Sequence, residues 1–98
     1  MRDVVWSDDA LQEFNRALTD IALEDERAAT LVADRVEAAI DLLAERAIGR
    51  PGRVSGTYEK RVLRTSYVIA YALSEQTLTI LRVIHGHRDW VKETWPKD

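Results

Sequence analysis

The residues of this 98-residue chain whose types suit chemistry lie late in it: Arg64, Arg82 and His85. Guanidinium groups clamp phosphate oxygens through forked hydrogen bonds, and an imidazole that titrates near neutrality can pass a proton. The three together would suit work on a phosphodiester. Arg82 falls between Ile80 and Ile84 in a strand-like run, on the face those residues share, where an unpaired charge is costly and a partner is expected. That partner could be internal, Glu59 or a tyrosine hydroxyl, or a carboxylate from another protein. For both arginines the competing reading is an ordinary salt bridge or plain solvation.

His85, His87 and Asp89 alternate as zinc ligands sometimes do, but Gly86 interrupts the strand geometry and no fourth ligand is evident. The expectation is no metal and no cofactor, with His85 packed at a strand end. Tyr58, Tyr67 and Tyr71 could stack on bases, yet aromatic residues in strands are usually half-buried, and Tyr71 reads as core. Trp90 and Trp95 either cover the sheet or anchor a partner. Arg46, Arg50 and Arg53 sit in a glycine-containing loop that lacks the Gly-Lys-Ser/Thr ending of a Walker loop, so it is a contact element or a connector.

The elements that must position these residues follow from periodicity. Val4, Val5 and Trp6 are strand formers that stop at Ser7, an N-cap followed by Asp8 and Asp9. Ala10, Leu11, Phe14, Ala17, Leu18, Ile21 and Ala22 recur at helical spacing, which leaves Asp9, Gln12, Glu13, Arg16 and Asp20 to water. Glu24, Asp25 and Glu26 open a second helix. Its stripe runs through Ala28, Leu31, Val32, Val36, Ala39, Ile40, Leu43 and Ala47 until Gly49 and Pro51 stop it. Residues 57–64, 67–73 and 78–85 read as three strands joined by hairpin-sized links, hence an antiparallel meander. The last is apolar on both faces, as a central strand would be. Residues 88–95 have room for one or two helical turns. The predicted fold is α+β, in the order β-α-α-β-β-β: a helical hairpin packed on a small antiparallel sheet, with a short C-terminal helical turn. Ninety-eight residues make one domain by length, residues 1–98.

Hydrophobic residues at 46% and charged residues at 32% exclude a disordered or fibrous chain. There is no cysteine, hence no disulfide or thiolate chemistry, and a reducing compartment is the simplest expectation. The opening residues lack a signal-like apolar run, and no stretch approaches a membrane span, so a cytoplasmic protein without membrane contact is expected. The net charge of −3 conceals an asymmetry. Residues 1–45 hold four arginines against twelve acids, a balance of −8, whereas residues 46–98 hold ten basic residues against five acids, a balance of +5. Any polyanion contact must therefore be local to the second half.

The element order, Gly56-Thr57-Tyr58-Glu59, Tyr67-Val68-Ile69-Ala70-Tyr71 and above all Ile80-Leu81-Arg82-Val83-Ile84-His85-Gly86-His87-Arg88-Asp89-Trp90 resemble RelE/ParE-family toxins of type II toxin–antitoxin systems, nearest on the ParE side. The resemblance covers essentially the whole chain and is most specific over residues 50–95. It implies neutralisation by a ParD-like antitoxin, a ribbon-helix-helix protein whose C-terminal segment wraps the toxin, with operator DNA contacted only through that antitoxin. It also implies one of two activities. In the RelE branch, ribosome-dependent endoribonucleases, Arg64 and Arg82 fall at phosphate-binding positions and His85 could act as acid or base. However, Lys60 and Arg61 only partly match that branch's lysine-rich strand, and Trp90 and Trp95 stand where some members use a tyrosine. ParE-like members share the ending without a complete nuclease set, and their family target is DNA gyrase. The favoured expectation is a gyrase-binding toxin without chemistry of its own, with Arg61, Arg64, Arg82, Trp90 and Trp95 as partner contacts. The alternatives are an mRNA endoribonuclease or an inactive homologue that binds antitoxin.

Overall fold

The computed structural model describes residues 1–46 and 49–86. The chain opens with β1, Asp3–Trp6, and enters α1, Asp8–Glu24, through Ser7, whose hydroxyl accepts the Ala10 N–H at 3.0 Å. The same hydroxyl donates to the Leu81 carbonyl at 2.9 Å, so the residue that starts the helix also ties it to the far end of the sequence. One residue separates α1 from α2, Glu26–Glu45. That residue is Asp25: its backbone N–H donates to the Ile21 carbonyl at 2.8 Å, and its carboxylate accepts the Arg27 and Ala28 N–H groups. Each of these bonds satisfies a helix-end group that would otherwise lack a partner.

Four further strands follow: β2, Arg50–Pro51; β3, Tyr58–Arg61; β4, Tyr67–Leu73; and β5, Thr77–His85. They form one five-stranded sheet in the order β1-β5-β4-β3-β2. The expected meander is present as β3, β4 and β5, antiparallel throughout. The sheet is nevertheless mixed, because β1 lies parallel to β5, with Asp3 opposite Thr77 and Trp6 opposite Ile80. The loop after α2 adds the two-residue strand β2 at the opposite edge. The proposed strand 57–64 stops at Arg61, and residues 62–66 form the turn into β4. The C-terminal helical turn falls outside the described residues.

The helices cover one face of the sheet. Phe14, Val36, Ile40 and Leu43 meet Ile69, Tyr71, Leu78, Ile80 and Val83, and the Trp6 and Phe14 rings stack with centroids 5.4 Å apart. Fully burying Leu43 stabilises the fold by about 1.5–3 kcal/mol. Val68, Ala70 and Ile84 occupy the opposite face and are buried as well, so β4 and β5 are enclosed on both sides. This matches the unbroken apolar run read in β5. The helical stripes are narrower than the spacing implied: Leu11 and Leu31, assigned to them, are 47% and 49% exposed. Among the described residues no helix is long and apolar enough to cross a membrane.

Candidate functional site

A β-bulge decides where Arg82 points. Ala70 pairs with Arg82, but the next residue of β4, Tyr71, pairs with Ile80, which leaves Leu81 as the extra residue. Paired residues share a face and successive residues alternate, so Ile80 faces the helices with Tyr71 while Arg82 shares the other face with Ala70 and Ile84. The expectation that Arg82 lies between Ile80 and Ile84 on one face is therefore half right, and the bulge is the reason.

The guanidinium of Arg82 does have an internal partner, and it is neither of those expected. It binds Glu13 of α1 in a forked arrangement, with Nε 2.9 Å from each carboxylate oxygen and Nη2 against Oε2. Glu13 also accepts the Val83 backbone N–H at 3.3 Å. The pair is largely shielded, with side chains 17% and 25% exposed, and the hydrogen bond to Glu13 raises the arginine pKa above its ordinary value against the opposing effect of burial. Glu13 belongs to the α1 face assigned to water. The separation of 69 positions between the partners leaves no local signal; the only clue is that a mid-strand arginine requires an anion.

Glu59, one of the two partners considered for Arg82, serves the neighbouring loop. It is 2% exposed, pairs opposite Ala70, and accepts the Arg53 backbone N–H at 2.7 Å. The Arg50 and Arg53 guanidinium groups approach it at 3.7 and 3.6 Å. The arginine loop is thus a built structure around a buried carboxylate, which satisfies a charge that could not stand alone there. Arg46 caps the end of α2 instead. Beside this loop the Gly49 N–H donates to the Tyr71 hydroxyl at 2.9 Å, and a Cβ on Gly49 would fall 2.2 Å from that oxygen. Gly49 is required by this close approach rather than as a helix stop. Tyr71 is core, as expected, and burial raises its pKa more than the Gly49 bond lowers it.

Between α1 and the outer edge of β5 runs a groove of about 330 Å3, lined in part by Asp9, Glu13, Arg16, Tyr67, Arg82 and His85. The Tyr67 and His85 rings meet edge-on at 5.7 Å, which places His85 at the strand end where it was expected. Arg82 and His85 therefore share a groove. Arg64 is not among its described lining residues. It sits in the β3–β4 turn, exposed, with φ 61°, and Gly86 donates to Ser66 at that same end of the sheet. Arg82 lies four residues from Gly86, about 13 Å along the strand. Of the three candidate nuclease residues, the groove thus brings together Arg82 and His85. Arg61 ends β3, exposed and opposite Val68. His87, Asp89, Trp90 and Trp95 lie outside the described residues. A second depression, between α1 and α2, is lined by small and apolar groups including Leu18, Ala22, Ala29 and Ala33.

Residues 4–90 match the family model of the ParE toxin of type II toxin–antitoxin systems. The chain belongs to the ParE toxin family. The chain is also 37% identical over 86 residues to the Sinorhizobium fredii protein Y4kP, named as a toxin, covering 87% of this chain and 88% of the other. The fold superposes on a chain of the chromosomal ParDE system of P. aeruginosa with a TM-score of 0.77 at 18% identity, covering 87% and 96% of the two chains. A chain of the Mycobacterium tuberculosis RelBE2 toxin–antitoxin complex matches with a TM-score of 0.59 at 26% identity, covering 86% and 96%. Both solved chains share this fold, and the α+β class and family resemblance both hold.

Proposed function

We propose that this ParE-family toxin arrests growth by binding DNA gyrase without a chemical step, and that a ParD-like antitoxin holds it inactive. One observation carries the first half: the arginine best placed for phosphate is committed to Glu13. A guanidinium engaged by a carboxylate through two oxygens has little capacity left to stabilise a pentavalent phosphate, which needs cations directed at its developing charge. The separation of Arg64 from the groove supports the same reading. For the antitoxin, support comes from the solved relatives, which are toxin–antitoxin systems, and from the surface of the helix pair. Leu11, Leu23 and Leu31 are exposed on the helices, which also carry the apolar depression between them and one wall of the groove along β5. An antitoxin strand or helix laid along these features would remove that apolar area from water. In this reading operator DNA is reached only through the antitoxin, as the family resemblance implies.

The RelBE2 likeness favours a second reading, a ribosome-dependent mRNA endoribonuclease in which Arg64, Arg82 and His85 act once the ribosome rearranges the site. Purified toxin released from its antitoxin separates the two in a gyrase supercoiling assay run beside a translating extract probed for message cleavage. Inhibited supercoiling with intact message is the expected result. Cut message with normal supercoiling would transfer the case to the nuclease, and silence in both would leave an antitoxin-binding homologue without activity.

A further inference from the structure

The turn between β3 and β4 is a preorganised projection, and we propose that it is the toxin's contact with its protein target, entering an apolar pocket rimmed by carboxylates. Val62 anchors the turn in the core at 1% exposed, and the next residue, Leu63, is turned out to water at 72%. Arg64 then takes a left-handed backbone conformation, φ 61°, the one positive-φ non-glycine among the described residues. For an arginine this costs about 1 kcal/mol and persists only where the surroundings impose it. They do so here. The Val62 N–H donates to the Tyr67 carbonyl, the Thr65 N–H and hydroxyl both donate to the Val62 carbonyl, and the Thr65 hydroxyl accepts the Tyr67 N–H. From α2, Arg35 reaches 29 residues along the chain to donate to the Arg64 carbonyl at 3.1 Å.

The consequence is a rigid tip carrying one large apolar side chain flanked by Arg61 and Arg64. Among the described residues no ion pair is formed by either arginine. A fixed tip loses little conformational entropy on binding, a leucine that leaves water gains its burial energy, and the flanking arginines can fork onto carboxylates. The chemistry selects the partner. Cations alone would suit a nucleic acid as well, but Leu63 gains from burial only where the partner offers an apolar pocket, which a phosphate backbone does not. The exposed tip is left for the target, because on the reading above the antitoxin's segment occupies the grooves beside the helices.

The inference rests on the toxin reading but not on gyrase being the target. Leu63→Gln, Arg64→Glu and the conservative Arg64→Lys are compared with wild type for growth arrest on induction, binding to purified gyrase, and melting temperature. Leu63→Gln and Arg64→Glu are expected to stay folded and to raise the toxin dose needed for arrest at least tenfold, with Arg64→Lys close to wild type. If gyrase binding falls in parallel, both readings stand. Should arrest be lost in the variants while wild type fails to bind gyrase, the turn stands and gyrase does not. Arrest unaffected by Leu63→Gln but abolished by Arg64→Glu would point to a nucleic-acid contact and overturn the proposal, as would full arrest by both variants or none by wild type.

Discussion

Arg64 and Arg82 are two arginines of the basic half that the sequence offers for the same phosphate-binding task, and the structure treats them oppositely. Arg82 is held by its side chain: Glu13 grips the guanidinium and a bulge in β5 aims it. Arg64 is held by its backbone: Arg35 fixes the carbonyl and leaves the side chain in solvent. The enclosed charge sits with its counter-charge, whereas the displayed one rides on backbone held by hydrogen bonds, as the proposed target contact requires. The difference teaches that an arginine's role is read from which part of it the protein immobilises.

The largest effect should come from breaking the enclosed pair. Arg82→Ala leaves Glu13 partly buried without its forked partner and should destabilise the fold by about 2–3 kcal/mol. In chemical denaturation the midpoint falls with little change in slope. A double variant, Glu13→Leu with Arg82→Met, should recover part of the loss, since an apolar pair can replace a shielded ion pair. A loss under 0.5 kcal/mol for Arg82→Ala would place this arginine beside Arg64 and erase the contrast.

A smaller effect is expected one residue beyond the bulge, at Tyr71. Burial raises its pKa, so the folded chain keeps the phenol proton at pH values where the unfolded chain has lost it. Stability is therefore intact below about pH 10, the ordinary phenol value, and declines as pH rises through the folded value. Tyr71→Phe removes that alkaline decline and, by deleting the acceptor of the Gly49 N–H, costs about 1 kcal/mol at neutral pH. Denaturation curves at pH 7 and pH 10.5 check both signs. An unchanged alkaline slope would mean that other groups govern it.

The smallest effect has the opposite sign. Arg64→Gly should stabilise the chain by roughly 0.5 kcal/mol, because glycine adopts φ 61° without the side-chain clash while losing more entropy on folding than arginine. Destabilisation there would show that the side chain, like that of Arg82, belongs to the fold.

The elements were legible because their signals are local. Ser7 before two aspartates, the apolar spacings of the helices and the strand-forming runs around Tyr71 and Ile84 each specify structure within a few residues. Asp25 was read within an acidic cluster that opens α2, but its second task of closing α1 was not. The site was less legible because its determinants are distant pairings. Glu13 and Arg82 meet across 69 positions, and a one-residue register shift in β5 changes the face on which Arg82 lies. Nor does periodicity reveal that Leu63, apolar and in a strand-like run, faces water. That follows from the turn beginning at Val62.

The parallel pairing of β1 with β5 orders events during synthesis. Among the described strands Asp3–Trp6 is made before the others, and its partner, Thr77–Ile80, belongs to the one made after them. Until those residues exist, β1 has no strand beside it, α1 has no Arg82 for Glu13, and the apolar faces of the helices lack the strand against which α1 packs. A growing chain therefore cannot complete this sheet, or the packing of α1 upon it, until β5 has been made.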